Sequence, residues 1–256
     1  MTGWRPAQIV VAGLCLAVTH AAPAEAMIVR ASMLGQFIFG APAEDDRSAP
    51  APPVARYVSD QGQMFVLDRS SSTPLMKFED SPEVLALSPT PAARGDTIYR
   101  NDMGEPVLRI TRLGGLTVFI PGRPTGAPVA FAGQAAGIRL VPMSAGALLQ
   151  RLALASARAS RAAKHLIAFD AQEVIPGSEA IFADAAFVTT QALVRLSVQR
   201  DGETVLARIG RVLFVPGSKG SVSLNHGVLN ITVNPSQGLA GRPSSARVVE
   251  VADKGH

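Results

Sequence analysis

The chain has 256 residues, of which 47% are hydrophobic and 17% are charged, and its formal net charge is +4. This composition excludes a wholly disordered protein, and the length allows one large domain or two small ones. A single cysteine excludes both an intramolecular disulfide and a thiolate metal site.

The first residues have the three parts of a secretory signal peptide. Arg5 provides a positive charge, Ile9–Val18 is an uncharged apolar run, and Ala24 and Ala26 are the small residues that cleavage after Ala26 needs. We therefore expect residues 1–26 to be a signal peptide and the protein to be exported. The apolar run is shorter than the roughly 20 residues that span a bilayer, so no transmembrane helix is expected after cleavage.

Residues 27–53 separate this signal from the folded body. Met27–Gly40 is apolar with one charge and predicts a short amphipathic helix. Ala41–Pro53 contains four prolines and the acidic cluster Glu44–Asp46, a composition typical of an extended linker.

From Val54 the apolar residues follow a period of two, in short runs separated by turn residues. This pattern predicts an antiparallel β meander over 54–141, arranged as a sandwich or a barrel. The Gly-, Pro- and Ala-rich stretch Pro121–Gly137 is predicted to be a loop. The predicted strands are Val54–Ser59, Gln63–Arg69, Leu75–Glu79, Val84–Ser88, Thr97–Asn101, Pro106–Thr111, Leu116–Ile120 and Ile138–Val141.

Over 142–210 the period becomes helical. An apolar stripe predicts a first helix from Ser144 to Phe169, and Ser178 is placed to begin a second helix that includes Ile181–Val198. Glu203–Ile209 predicts a third, short helix. The stripe of the first helix consists of Leu148, Leu152, Ala155, Ala159, Ala162, Leu166 and Phe169.

Strands return over 211–233. Val222–Leu224 and Val228–Val233 flank Asn225-His226-Gly227, which predicts a β-hairpin with His226 as a turn residue. Because an isolated hairpin is marginal in water, we expect it to pair with the earlier sheet. The prediction is therefore a single α+β domain over 54–233, with two or three helices between the meander and the C-terminal hairpin. Residues 234–256 are predicted to be a flexible tail.

Few side chains are suited to catalysis. After cleavage the histidines are His165, His226 and His256, and none lies in a recognised nucleophile motif. No phosphate-binding glycine motif or clustered metal ligands are found, so neither a cofactor nor a metal is expected. Aromatic residues make up 5% of the chain, which disfavours nucleic acid as a partner. The remaining candidates are acids near predicted turns: Asp68, Glu79, Asp80, Glu83, Asp102 and Glu105.

The first predicted helix has four basic residues and no acid. Arg151, Arg158, Arg161 and Lys164 account for a charge of +4 on one helix. A basic face opposite an apolar stripe can bind anionic lipid, lipopolysaccharide or an acidic envelope protein. The alternative is a solvated face whose charges pair locally with acids from elsewhere in the fold.

Seven segments together resemble a family of predicted exported alphaproteobacterial proteins of unknown function. The resemblance covers Val54 to Ser245 and implies export in a Gram-negative bacterium, but it implies no catalytic residue, ligand or fold. The segments are Val54–Val58, Phe65–Arg69, Leu75–Glu79, Val107–Arg109, Leu113–Thr117, Ser156–Ala163 and Ile231–Ser245.

Three functions are compatible with these observations. The leading hypothesis is a non-catalytic periplasmic or envelope-associated protein that binds a protein partner or an anionic surface. The second is a periplasmic hydrolase that uses two of the six turn carboxylates, which would then converge in a pocket. The third is a carrier of a small apolar ligand inside a hollow β-barrel.

Overall fold

The computed structural model describes residues 52–254. The predicted signal peptide, the predicted helix over Met27–Gly40 and nearly all of the predicted linker lie outside the described residues. The described residues fall within one compact unit and form the mixed α+β fold that the sequence predicts, with an antiparallel meander first and helices and strands after it.

The first sheet contains nine antiparallel strands in the order β4-β3-β2-β1-β9-β8-β7-β6-β5. Consecutive strands pair from β1 to β4 and from β5 to β9, and β9 also pairs with β1, so the predicted meander is confirmed. Within it β5 was not predicted, and the strand predicted over Ile138–Val141 is wrong, because these residues have no regular structure. The strands are β1 (Val54–Ser59), β2 (Met64–Asp68), β3 (Leu75–Phe78), β4 (Val84–Ala86), β5 (Ser88–Pro91), β6 (Thr97–Arg100), β7 (Pro106–Ile110), β8 (Leu116–Ile120) and β9 (Arg123–Gln134).

This sheet is nearly closed into a barrel. Its two edge strands, β4 and β5, are separated in the chain by Leu87 alone, which is fully buried. Large side chains fill the interior, among them Phe65, Leu67, Met76 and Leu108, each no more than 1% exposed. The space that a hollow carrier would need for a ligand is therefore occupied by the protein's own core.

Strand β9 corrects the loop predicted over Pro121–Gly137. It is the longest strand of the sheet and pairs with both β1 and β8. Two glycines allow the irregular backbone that this requires, since Gly126 has φ 78° and Gly133 has φ 135°. Gly133 lies opposite Arg56, where the register with β1 shifts at a bulge. The glycines that suggested a loop therefore provide the irregular backbone that lets β9 pair with β1 on one side and β8 on the other.

Helix α1 (Ala145–Ala163) begins where predicted but ends six residues early. Ser144 caps it by accepting a hydrogen bond from the Ala147 N–H, and Lys164 ends it in the left-handed conformation, with φ 61°. The apolar stripe is buried as far as Ala159, whereas Leu166 is 76% exposed. The chain then forms strand β10 (Ala168–Ala171), which the helical periodicity did not predict.

The second sheet has four strands in the order β10-β11-β13-β12. Strands β10 and β11 (Arg211–Pro216) are parallel and are connected through helix α2 (Glu179–Ser197) and helix α3 (Gly202–Ala207). The predicted hairpin of β12 (Ser221–Asn225) and β13 (Val228–Val233) is present, but it pairs with β11 and not with the first sheet. The expected pairing was wrong because β10 and β11 provide the sheet that the hairpin needs.

The predicted tail over 234–256 is ordered through residue 254. It forms a 3₁₀ segment, Pro235–Gly241, and helix α4 (Ser245–Lys254). Val248 and Ala252 of α4 are fully buried in the core that α1, α2 and the second sheet share. These two apolar residues are four apart in the sequence, so both lie on the face of α4 that packs against this core. Among the described residues, no helix has the length and apolar character needed to cross a membrane.

Candidate functional site

Asp68, the most buried of the six candidate carboxylates, serves as an anchor within the fold. It is 4% exposed and accepts hydrogen bonds from the Ser70 N–H (2.9 Å) and Oγ and from the Ile138 N–H (2.8 Å). Burial favours the neutral form, but these hydrogen bonds outweigh burial and hold the pKa of Asp68 below its usual range. A general acid needs a raised pKa, so Asp68 is unsuited to that role.

Three other candidate carboxylates are bonded to side chains of the first sheet or its turns, with Glu79 and Asp80 in the turn after β3 and Glu105 just before β7. Glu79 pairs with Arg56 at 2.8 Å. Asp80 accepts a long hydrogen bond of 3.5 Å from Gln63 Nε2, and Glu105 accepts one of 3.0 Å from Asn101 Nδ2. These interactions account for the acids as turn and surface residues.

The structure brings two pairs of candidates together: Glu79 and Asp80 line one shallow pocket, and Glu83 and Asp102 lie at the N-terminus of α4. Asp102 accepts from the Ser244 N–H at 2.8 Å, and Glu83 accepts from the Ser245 N–H at 2.8 Å and from Ser245 Oγ at 2.5 Å. The first N–H groups of a helix have no partner within the helix and its dipole favours negative charge there. Glu83 and Asp102 therefore cap α4 and attach it to two turns of the first sheet.

Of the four basic residues of the first predicted helix, the three arginines lie on α1 itself and Lys164 lies at its C-terminal end. Arg151 and Arg158 lie on the same side of α1, two turns apart, and both line a groove between α1 and α2. Arg161 is exposed on the next turn. Lys164 is the C-cap of α1 and lies 3.4 Å from Glu203. Lys164 therefore fits the alternative of a solvated basic residue that pairs with an acid from elsewhere in the fold.

The groove has a volume of about 390 Å³. Small residues from both helices form its floor, and apolar side chains form its walls, including Leu154 and Val141, which are 66% and 78% exposed. Sites for small molecules in proteins are of this size and mostly apolar, with a few polar groups. The lining residues are Leu140, Val141, Met143, Arg151, Leu154, Ala155, Arg158, Ala180, Ala183, Asp184, Phe187 and Thr190.

The charges around this groove are not balanced. Within the part of the chain that the structure describes, no carboxylate forms an ion pair with Arg151, Arg158 or Arg161. The acid of the lining, Asp184, is already paired with Arg242. The groove therefore presents uncompensated positive charge beside an apolar surface.

Arg242 is a residue that the sequence did not single out. Its side chain is 2% exposed, and it donates to Asp184 and to the carbonyl oxygens of Val84 (3.1 Å) and Pro243 (3.3 Å). Glu83 lies 3.8 Å from its guanidinium group. The only sequence signal was an arginine within a proline- and serine-containing segment, and its partners are too distant in the chain to be anticipated.

Two of the histidines are accounted for by structure. Both ring nitrogens of His165 lie within hydrogen-bond distance of carbonyl oxygens, those of Ala163 at 3.0 Å and Ile209 at 2.9 Å. His226 has φ 49° in the turn between β12 and β13, as predicted for a turn residue. Over residues 52–254, no group of three or more His, Cys, Asp or Glu side chains is arranged to hold a metal ion.

Comparison with known families places the chain in one of them. A family model described as a domain of unknown function, DUF4908, matches residues 30–252, and the chain belongs to this family. The resemblance to a family of unknown function is therefore confirmed, and the match extends beyond Val54–Ser245 at both ends. No curated protein and no solved structure matches the chain.

Proposed function

We propose that this member of the DUF4908 family is a non-catalytic, exported protein that binds an anionic surface of the bacterial envelope. The observation that supports this proposal is the set of three arginines on α1, Arg151, Arg158 and Arg161, which have no acidic partner among the described residues. The proposed surface is anionic lipid or lipopolysaccharide, and the proposed location is the periplasm or envelope of a Gram-negative bacterium.

The physical basis is electrostatic attraction followed by apolar contact. Each arginine close to an anionic membrane contributes about 1 kcal/mol at physiological salt, and the contribution falls within a Debye length. Three arginines would therefore contribute about 3 kcal/mol, which is weak and reversible on its own. The exposed side chain of Leu154, between Arg151 and Arg158, adds apolar area at the same surface.

A carboxylate-dependent hydrolase is not proposed. Glu83 and Asp102 serve as helix caps, whereas Glu79 and Asp80, which line one pocket, are already bonded to Arg56 and Gln63. The lowered pKa of Asp68 is opposite to the shift that an acid catalyst requires.

The test is sedimentation with vesicles of phosphatidylcholine alone or mixed with phosphatidylglycerol, at low and at high salt. The protein is purified from cells that express the full chain. We expect binding to the mixed vesicles at low salt, little binding to neutral vesicles and loss at high salt.

A variant with Arg151, Arg158 and Arg161 all changed to Gln should lose binding. The matched control changes Lys77, Arg112 and Lys219 to Gln, three exposed basic residues elsewhere, so that the net charge is equal. Equal loss in both variants would show attraction by net charge alone and would contradict the proposal.

A further inference from the structure

We infer that the groove between α1 and α2 binds the acyl chain of an acidic lipid, whose acid group lies against Arg151 and Arg158. This inference deepens the proposed function and shares its arginines. It differs in assigning a saturable site for one chain, where the proposed function requires only a charged surface.

The lining of the groove is suited to an acyl chain. Ala155, Ala180 and Ala183 form the floor, and their small side chains let a chain lie close to both helices. Leu154 and Val141 stand exposed at the walls. Burial of such side chains against a hydrocarbon chain removes apolar surface from water, which stabilises the complex by about 25 cal/mol per Å².

The polar groups of the groove favour an acid. Arg151 and Arg158 are two turns apart, about 10 Å along the helix axis, and neither pairs with a carboxylate among residues 52–254. Asp184 lies in the same lining, but its charge is compensated by the buried Arg242. An acid group at the groove therefore meets two free cations and no free anion.

The helices of the groove offer a peptide few partners. Apart from Ala180, the lining residues of α1 and α2 lie inside these helices, where N–H and C=O groups are bonded along the helix, whereas Leu140, Val141 and Met143 precede α1. An extended peptide would find few partners along the two helices for its own N–H and C=O groups, whose loss of hydrogen bonds is costly. An acyl chain has no such groups, and about 390 Å³ is at the small end of ligand sites, too small for a whole helix.

The experiment is calorimetric titration with dodecanoate below its micelle-forming concentration. Propionate provides the acid without the long chain, and undecanol provides the same eleven-carbon alkyl chain without the acid. We expect dodecanoate to bind with a stoichiometry of one, propionate to give no measurable binding and undecanol to bind at least tenfold more weakly, since a charge-assisted hydrogen bond contributes about that factor or more.

Two leucines of α1 provide a matched pair of variants. Leu154→Gln removes an apolar wall of the groove without changing charge, whereas Leu149→Gln changes an equally exposed leucine (67% against 66%) outside it. We expect Leu154→Gln to weaken dodecanoate binding about tenfold and Leu149→Gln to leave it unchanged.

The outcomes separate this inference from the proposed function. Binding of anionic vesicles without saturable dodecanoate binding would overturn the acyl-chain site and leave the surface proposal standing. Saturable dodecanoate binding without vesicle binding would overturn the surface proposal and leave the acyl-chain site standing. Equal weakening of dodecanoate binding by Leu149→Gln and Leu154→Gln would show nonspecific adsorption and would overturn the inference. It would also be overturned if a poly-glutamate peptide bound in a Leu154-dependent way while dodecanoate did not bind, because the groove would then accept an acidic protein segment.

Discussion

Arg242 and Asp184 form an ion pair across 58 residues of sequence, with the Arg242 side chain 2% exposed and Asp184 in the lining of the α1–α2 groove. Arg242 also donates to the carbonyl oxygen of Val84, which belongs to strand β4 of the first sheet. One buried guanidinium group thus connects the helix that borders the groove with the edge of the nearly closed barrel.

Removing this guanidinium group is expected to destabilise the protein strongly. Arg242→Met leaves Asp184 and Glu83 without their counter-charge in a largely buried place, at a cost of about 3–5 kcal/mol. Urea unfolding followed by circular dichroism measures this loss. The control is Arg211→Met, which removes an ion pair of 2.7 Å with Asp170 in which both side chains are nearly half exposed, worth about 0–1 kcal/mol.

The second variant of this series changes both partners. Arg242→Met combined with Asp184→Leu removes one of the two unpaired charges and leaves that of Glu83, so its loss of stability should be smaller than the sum of the two single losses. If Arg242→Met lowers the free energy of unfolding no more than Arg211→Met does, the Arg242–Asp184 ion pair does not stabilise the contact between α2 and the first sheet.

Asp68 is expected to make stability depend on pH in the acid range. The pKa of Asp68 in the folded protein lies below its usual value because the hydrogen bonds from Ser70 and Ile138 outweigh burial. A depressed folded pKa contributes stability that is fully present above the unfolded pKa and is lost as the pH falls through the folded value. The loss should therefore occur below about pH 4.

Thermal unfolding between neutral and strongly acid pH tests this expectation. Asp68→Asn should lower stability by about 1–3 kcal/mol at neutral pH, because its amide cannot accept all three hydrogen bonds equally well. Below pH 4 the difference between the variant and the natural protein should shrink. A difference that stays constant down to the lowest pH would show that ionisation of Asp68 does not contribute.

The sequence predicts the parts of the fold that depend on local periodicity. The alternation from Val54 to Ile120 predicts seven of the nine strands of the first sheet, all but β5 and β9, and the stripe from Leu148 to Ala159 predicts α1. Helix α2 and the hairpin of β12 and β13 also follow from local pattern and turn residues. These elements are encoded by residues within a few positions of one another, so one chain is sufficient to find them.

The errors arise where tertiary contacts override local composition. The prolines and glycines of β9 favour a loop, yet pairing on both sides with β1 and β8 satisfies the strand. Residues 234–254 are polar, yet α4 is fixed by burial of Val248 and by caps from Glu83 and Asp102. The candidate site is likewise only partly predictable from local sequence. The helical periodicity places Arg151 and Arg158 on α1, but the groove exists only because α2 packs beside α1.

The caps of α4 can be weakened one at a time. Asp102→Asn replaces a charged acceptor of the Ser244 N–H at a helix N-terminus, and we expect a loss of about 0.5–1 kcal/mol in the free energy of unfolding. Glu105→Gln is the control, because Glu105 lies three residues away in the same turn region and bonds to Asn101. Chemical denaturation of both variants measures the difference, and an equal effect would mean that capping charge at α4 is unimportant.

Export is tested by the N-terminus of the protein that accumulates in cells. If the signal over residues 1–26 is cleaved after Ala26, sequencing of the purified protein should begin at Met27 and the protein should fractionate with the periplasm or envelope. Ala26→Arg replaces the small residue before the cleavage point and should yield an uncleaved, membrane-retained form, because the apolar run Ile9–Val18 then stays attached. Ser48→Arg adds the same charge in the predicted linker and should leave cleavage unchanged. Finding the natural chain uncleaved in the cytoplasm would remove both the export proposal and the anionic envelope surface as the partner, because the arginines of α1 would then never meet that surface.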